Sequence, residues 1–299
     1  MRYLALALML GCAARTPTSG TDPISNRPGA PRPADSLEAR IAMLEARVAQ
    51  YAEALDFLQT VYDQQKKQAE ANAASEPAPD AVFAVDITPN VKLGMVDGPA
   101  TAAVTIVKAF DFACPYCEQT STVLSELVKQ YRGKLRVVFK NLVVHPDTAM
   151  EGHLASCAAA KQKKYVAFKD AFWTDAFGPY RASGGKDRAS MGGENLLKIA
   201  AKIGIDSKRL KTDMASPECK AIIDGDMTEL DKFKVDATPT FFINGKLISG
   251  GLSKEGFTKV IDAQLAIVTA SGVPAAEFYQ REVIGKGENK FRSKQEPKP

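Results

Sequence analysis

Histidine, tryptophan, long apolar runs and excess charge of either sign are what this chain has least of. Its 299 residues include two histidines and one tryptophan. His145 and His153 stand eight residues apart, off the i, i+4 spacing that puts two ligands on one helix face, and read as surface or packing residues. Trp173 falls at helical spacing with Phe168, Phe172 and Phe177 and reads as core. One C-x-x-C is present and no second, so a four-ligand zinc site has no other half and no metal is expected. No run is long and apolar enough for a transmembrane helix. Lys and Arg number 39 against 35 Asp and Glu, a net +4 spread along the chain, which argues against a nucleic-acid partner. Five cysteines make an odd count, so at least one is not half of an internal disulfide.

What is present is unevenly distributed. Arg2 followed by an apolar run from Leu4 to Leu10 reads as a compact secretory signal. Its end, Met9-Leu10-Gly11-Cys12, resembles the lipobox of bacterial lipoproteins, with Met9 where Leu is usual and Leu10 where a small residue is usual. The resemblance implies cleavage of residues 1–11, lipidation of Cys12 and anchoring to a membrane. By analogy with enteric sorting, Ala13 points to the outer one. The alternative is a plain signal peptide with an incidental Cys12. Residues 12–35, rich in Pro, Thr, Ser, Gly and Arg, read as a disordered tether.

From Ser36 the pattern becomes a heptad repeat. Ile41, Val48, Leu55 and Tyr62 fall at a, and Leu37, Leu44, Tyr51 and Leu58 at d. A helix over 36–71 would be roughly 50 Å long and would expose its stripe unless it self-associates. A homo-oligomer through residues 37–62 is therefore expected, a dimer or a trimer. Packing on its own domain or on a membrane surface are the alternatives. Residues 72–81 read as a second linker.

The chemistry lies further on. A strand over 104–110 leads into Cys114-Pro115-Tyr116-Cys117, and a helix follows from Glu118. A C-x-x-C at a strand-to-helix junction is a thiol–disulfide redox signature. Cys114 would cap the helix, where free N–H groups and the macrodipole favour a thiolate, and Pro115 suits a first helical position that needs no N–H. Cys114 is the candidate nucleophile and Cys117 the resolving thiol. Residues 82–85 and 91–93 read as short leading strands, 135–141 as a buried strand, and about 146–233 as helical. Thr240-Phe241-Phe242-Ile243 and Leu247-Ile248 flank Asn244-Gly245, a type I′ hairpin signal. A closing helix starts at Ser253. The tail, 272–299, reads as a short helix followed by disorder.

Two motifs carry a family resemblance: Asp111-Phe112-Ala113-Cys114-Pro115-Tyr116-Cys117, and Val235-Asp236-Ala237-Thr238-Pro239-Thr240-Phe241-Phe242-Ile243-Asn244-Gly245. Residues 82–271 resemble the DsbA/DsbG-like thiol:disulfide interchange proteins of the bacterial periplasm, in the thioredoxin superfamily. The resemblance implies an α/β thioredoxin fold with an inserted helical domain, here preceded by the heptad helix. It implies a cis peptide at Thr238-Pro239 that meets the substrate chain, and no cofactor beyond the Cys114–Cys117 disulfide. Some members have a second disulfide, and Cys157 and Cys219 are the candidates. Two buried free thiols or a second redox site are the alternatives. The partners implied are unfolded or misoxidised secreted proteins and a membrane redox partner. The Pro115-Tyr116 dipeptide, with Thr238 before the proline, is more like the isomerase-side DsbG members. One position departs from the family: where a buried acid commonly stands, six residues before the first cysteine, there is Lys108. It would either favour the thiolate form of the cysteines or snorkel to solvent. Glu118 is a weaker proton-relay candidate. A reading of another class is a tethered oligomeric chaperone with little redox turnover.

Overall fold

The computed structural model describes residues 36–298. The signal 1–11, Cys12 and the tether 12–35 lie outside the described residues.

Helix α1 (Leu37–Ser75) begins where Ser36 Oγ accepts the N–H of Ala39 at 3.3 Å. It runs four residues past the expected end at 71 because nothing breaks it before Pro77. All eight a and d side chains are between 46% and 66% exposed, so among the described residues nothing covers the apolar stripe. Of the described residues, 36–68 fall in one unit and those from Ala69 in a second.

The second unit is built on a five-stranded sheet in the order β1-β3-β2-β4-β5. Its strands are β1 (Val96–Asp97), β2 (Val104–Phe110), β3 (Leu135–Asn141), β4 (Thr240–Ile243) and β5 (Lys246–Ser249). β2 and β3 are parallel and every other pairing is antiparallel. Every residue of β2, β3 and β4 is buried, as expected of strands covered on both faces. Period-2 alternation divides them. Val104, Ile106 and Phe110 pack with Leu135, Val137, Phe139, Phe241 and Ile243 on one side. Val107, Ala109, Val138 and Phe242 pack on the other. Asn244 and Gly245, at φ +45° and +83°, make the two-residue β4–β5 turn that their sequence predicts.

The helices fall in chain order around this sheet. They are α2 (Thr88–Leu93), α3 (Pro115–Gln130), α4 (Pro146–Lys161), α5 (Tyr165–Phe172) and α6 (Gly178–Ala182), then α7 (Gly193–Lys202), α8 (Ser207–Met214), α9 (Pro217–Asp231), α10 (Lys254–Ser271) and α11 (Ala275–Phe278). Helices α4 to α9 form the insert between β3 and β4. Gly178-Pro179 follows a π-helical turn (Trp173–Phe177) and opens α6. Cys157 of α4 and Cys219 of α9 are joined in a disulfide across 62 residues. By loop-entropy arithmetic such a link stabilises by about 4 kcal/mol.

Four expectations are corrected. Residues 91–93 are not a strand but the end of α2, which has proline in its first turn and stops at Gly94 with φ +88°. Residues 82–85 form no strand of the sheet, and Phe83 makes one bridge to Glu288. The stretch 72–81 is not a free linker. Helix α1 occupies it to Ser75, Ala78 and Ala81 are buried, and Ala78 N donates to Arg292 O at 3.0 Å. The tail is ordered for the same reason. The second face of the sheet needs a cover, and Phe278, Tyr279, Val283 and Phe291 supply it, with Phe83 stacked on Phe291.

Candidate active site

The C-x-x-C is held in place by a carboxylate that stands three residues before the first sulfur. Asp111 directly follows β2 and is fully buried. Its Oδ1 accepts from Ala113 N at 2.6 Å, and its Oδ2 from Val144 N at 2.7 Å and His145 N at 3.0 Å. One side chain thereby fastens the turn into α3 to the turn between β3 and α4. Sequence reading quoted Asp111 only as part of a motif. An Asp placed to bond the backbone two residues on is a turn signal that would have found it.

Cys114 caps α3 and Pro115 is its first residue. The Cys114 carbonyl accepts from Cys117 N at 3.1 Å and Glu118 N at 3.3 Å. The Sγ lies 3.3 Å from the carbonyl oxygen of Thr238, and the Thr238-Pro239 peptide is cis. Topology thus brings together two motifs 124 residues apart in sequence. Both cysteines are free thiols. The hydrogen bond from Cys117 holds the Cys114 pKa down to about 5, against burial and with further bonds from Thr238 and the backbone N–H groups of Cys117 and Tyr116. The Cys117 thiol is pushed up, first by burial and then by that same bond. At neutral pH one sulfur is a thiolate and the other keeps its proton. Tyr116 stands exposed between them.

Lys108 lies on the α3 side of the sheet, in register with Ile106 and Phe110, and is fully buried. Snorkelling is thereby corrected, because β2 has no solvent face to snorkel to. Its Nζ donates to the Cys117 carbonyl at 2.8 Å and to Ser121 Oγ at 2.9 Å. Glu118 instead forms an ion pair with Arg181 of α6 at 2.8 Å.

A buried polar chain behind the site escaped the sequence reading. Asp226 of α9 accepts from Lys140 Nζ at 2.8 Å, Asn141 N at 2.9 Å, Asn141 Nδ2 at 2.7 Å and Asn90 Nδ2 at 2.9 Å. Asn141 Oδ1 lies 2.7 Å from His153 Nδ1. Phe112 N donates to His153 Nε2 at 3.4 Å, which makes Nε2 the acceptor and Nδ1 the protonated nitrogen. The chain ends two residues before Cys114. A lysine in a strand read as buried was the available signal, since a buried cation needs a partner.

Burial lowers the His153 pKa to about 4 from 6.5, with Asp111 opposing. The sign follows directly. Between those values the unfolded chain binds a proton that the folded chain refuses, so stability is full above 6.5, falls as pH drops toward 4, and levels off below. The loss is about 3 kcal/mol for this residue. Urea unfolding at successive pH values should show a steeper acid decline for the native chain than for His153→Gln, and equal slopes would contradict it.

Among the described residues no three His, Cys, Asp or Glu are grouped to hold a metal ion. Nor is any described helix long and apolar enough to cross a membrane.

Residues 90–263 match the sequence model of the thioredoxin family. The chain belongs to the thioredoxin family. Over 174 residues it is 30% identical to the "Probable disulfide bond formation protein D" of Bacillus cereus, covering 56% of this chain and 77% of that protein. It is 28% identical over 180 residues to the Na(+)/H(+) antiporter NhaA of Herminiimonas arsenicoxydans. That stretch is 60% of this chain but 27% of the antiporter, so the chain spans about a quarter of that relative's length. The crystal structure of oxidised BdbD from Bacillus subtilis superposes with a TM-score of 0.50 at 20% identity, covering 62% of this chain and 100% of that one. This last likeness shows the fold, a thioredoxin core carrying the helical insert between β3 and β4.

Proposed function

We propose that this chain is a thiol–disulfide oxidoreductase acting on the disulfides of secreted or envelope proteins, with Cys114 as the attacking sulfur and Cys117 as the resolving one. The observation that carries it is the contrast between the two sulfurs: an ionised Cys114 at a helix cap, beside the Thr238 carbonyl and cis-Pro239, with a buried protonated Cys117 behind it. In reduction or isomerisation, the Cys114 thiolate attacks a substrate disulfide. One substrate sulfur leaves as thiolate and the other stays bonded to Cys114. Cys117 then attacks Cys114, the bond to the substrate breaks, and the Cys114–Cys117 disulfide forms. Oxidation is the reverse: a substrate thiolate attacks Cys114 and Cys117 leaves. Thr238 and Pro239 are the substrate-facing backbone, Pro115, Tyr116 and Lys108 modulate the dithiol, and no cofactor beyond it takes part.

The low pKa of Cys114 stabilises the reduced form and so favours disulfide donation. The measured reduction potential of the pair decides the direction: a value near that of DsbA, about −120 mV, makes the chain an oxidant, and one near thioredoxin, about −270 mV, a reductant. Insulin reduction and refolding of scrambled ribonuclease test the activity itself. Catalysis of neither, with aggregation of unfolded clients still suppressed, would favour a chaperone instead.

On this reading the chain works outside the cytoplasm, in the cell envelope, with lipid on Cys12 as its tether. Substrates there are misoxidised secreted proteins, and a membrane redox partner resets the dithiol. The exposed a and d stripe of α1 supports a homo-oligomer through residues 37–62, since an isolated stripe of this size stays wet. Light scattering on the chain from residue 36 should report two or three copies. A strict monomer at micromolar concentration would reject the oligomer.

A further inference from the structure

Three lysines are 2% exposed or less: Lys108, Lys140 and Lys169. Two of them have a carboxylate. Lys140 is 2.8 Å from Asp226, and Lys169 pairs with Asp170. Lys108 has only neutral partners, the Cys117 carbonyl and the Ser121 hydroxyl. Ser121 donates its own hydrogen to that same carbonyl at 2.9 Å, so toward Lys108 it accepts. A neutral amine has two N–H groups and one lone pair. Two acceptors satisfy it completely and leave the lone pair free. An ammonium in the same place would carry a third N–H and a buried charge with no carboxylate beside it, at a cost of several kcal/mol. Burial accordingly lowers the Lys108 pKa to about 7, Lys169 acts in the same direction, and the charges that oppose them are those of Cys117 and then Cys114.

We propose that the neutral amine of Lys108 is the general base that takes the proton of Cys117 when Cys117 resolves a mixed disulfide on Cys114. The step rests on the exchange reaction proposed above. The Cys117 S–H bond breaks and its proton goes to the Lys108 lone pair. The sulfur's electron pair forms the bond to Cys114 Sγ. The bond between Cys114 and the substrate sulfur breaks, and that sulfur leaves with its electron pair as a thiolate. Lys108 ends as an ammonium beside a neutral disulfide. No thiolate is left beside it to favour the ammonium, so the proton is released. Ser121 gives it a way out, because Ser121 also lines an open groove of about 580 Å3 with Ser125, Asp170 and Trp173. In the opposite direction, the ammonium stabilises the Cys117 sulfur as it leaves.

Rapid mixing of the reduced protein with dithiobis(nitrobenzoate) separates the two steps. Attack by Cys114 releases one coloured thionitrobenzoate, and displacement by Cys117 releases the second. In Lys108→Met the first release should stay within about threefold of the native rate while the second slows about a hundredfold at neutral pH, the usual scale of general-base loss. The native second step should level off at or below about 7, and the variant's should keep rising as hydroxide ionises Cys117 directly. An unchanged second step overturns the role of Lys108, whereas a missing first step in the native protein overturns the exchange reaction itself. NMR of the 13C-lysine-labelled native protein gives a test that needs no variant. In the disulfide form, where no thiolate is left to favour the ammonium, Lys108 should titrate at or below about 7. Titration with ordinary lysines near about 10.4 overturns the proposal.

Discussion

Cys114→Ser should reduce insulin no faster than buffer does, a loss on the order of a thousandfold or more, as removing a nucleophile gives. Three facts leave no substitute. A serine hydroxyl in this position does not ionise near neutral pH, whereas the Cys114 thiol does, at about 5. Cys117 is fully buried and its thiol is pushed up, so it is a poor attacking group for a macromolecular substrate. Cys157 and Cys219 are bonded to each other and buried. The same environment predicts the pH profile of the native protein: alkylation of Cys114 by iodoacetamide should rise with a midpoint near about 5. Retained activity in Cys114→Ser, or a midpoint at the free-thiol value of about 8.5, would contradict the assignment.

Asp226→Ala should be the most destabilising single change, at about 3–5 kcal/mol, because it strands the charge of a buried lysine. Lys140 and Asp226 are both 2% exposed, so water cannot replace the lost carboxylate. The same substitution leaves Asn141 N, Asn141 Nδ2 and Asn90 Nδ2 short of an acceptor. A paired change, Lys140→Met with Asp226→Leu, removes the charge together with its partner and should recover part of the loss. Urea denaturation of the two variants checks both statements. A loss below about 1 kcal/mol in Asp226→Ala would mean that the pair carries no such cost. Because Asn141 and His153 continue the chain to Phe112, the destabilised variant should also expose Cys117 to alkylation.

Much of this site was legible without coordinates, and the reason is local chemistry. A C-x-x-C between a buried strand and a helix, and Asn-Gly between two apolar runs, each specify a backbone geometry within a few residues. The pairing of Cys114 with Thr238 was not local, and only the resemblance of the two motifs to a known family brought them together. The errors also have a physical pattern. Residues 82–85 and the tail carry apolar side chains such as Phe83, Val283 and Phe291, yet lack the periodicity of a strand or a long helix. Their role is set by what they cover, the second face of the sheet, and no local signal states that. The polar interior was harder still. Lys140 and Asp226 are 86 residues apart, and a single chain gives no sign that they meet. Lys108 was visible as an oddity, but its lack of a carboxylate is a fact about its neighbours.

The central claim is exchange through the Cys114 sulfur with Cys117 as the resolving thiol. It is tested most directly by the Cys117→Ala protein incubated with a disulfide-linked peptide and mapped by mass spectrometry without reduction. The expected product is one peptide bonded to Cys114, persisting because nothing displaces it, while the native protein under the same conditions accumulates none and converts to the Cys114–Cys117 disulfide. Absence of the adduct in the variant, or its appearance on Cys157 or Cys219, would contradict the claim.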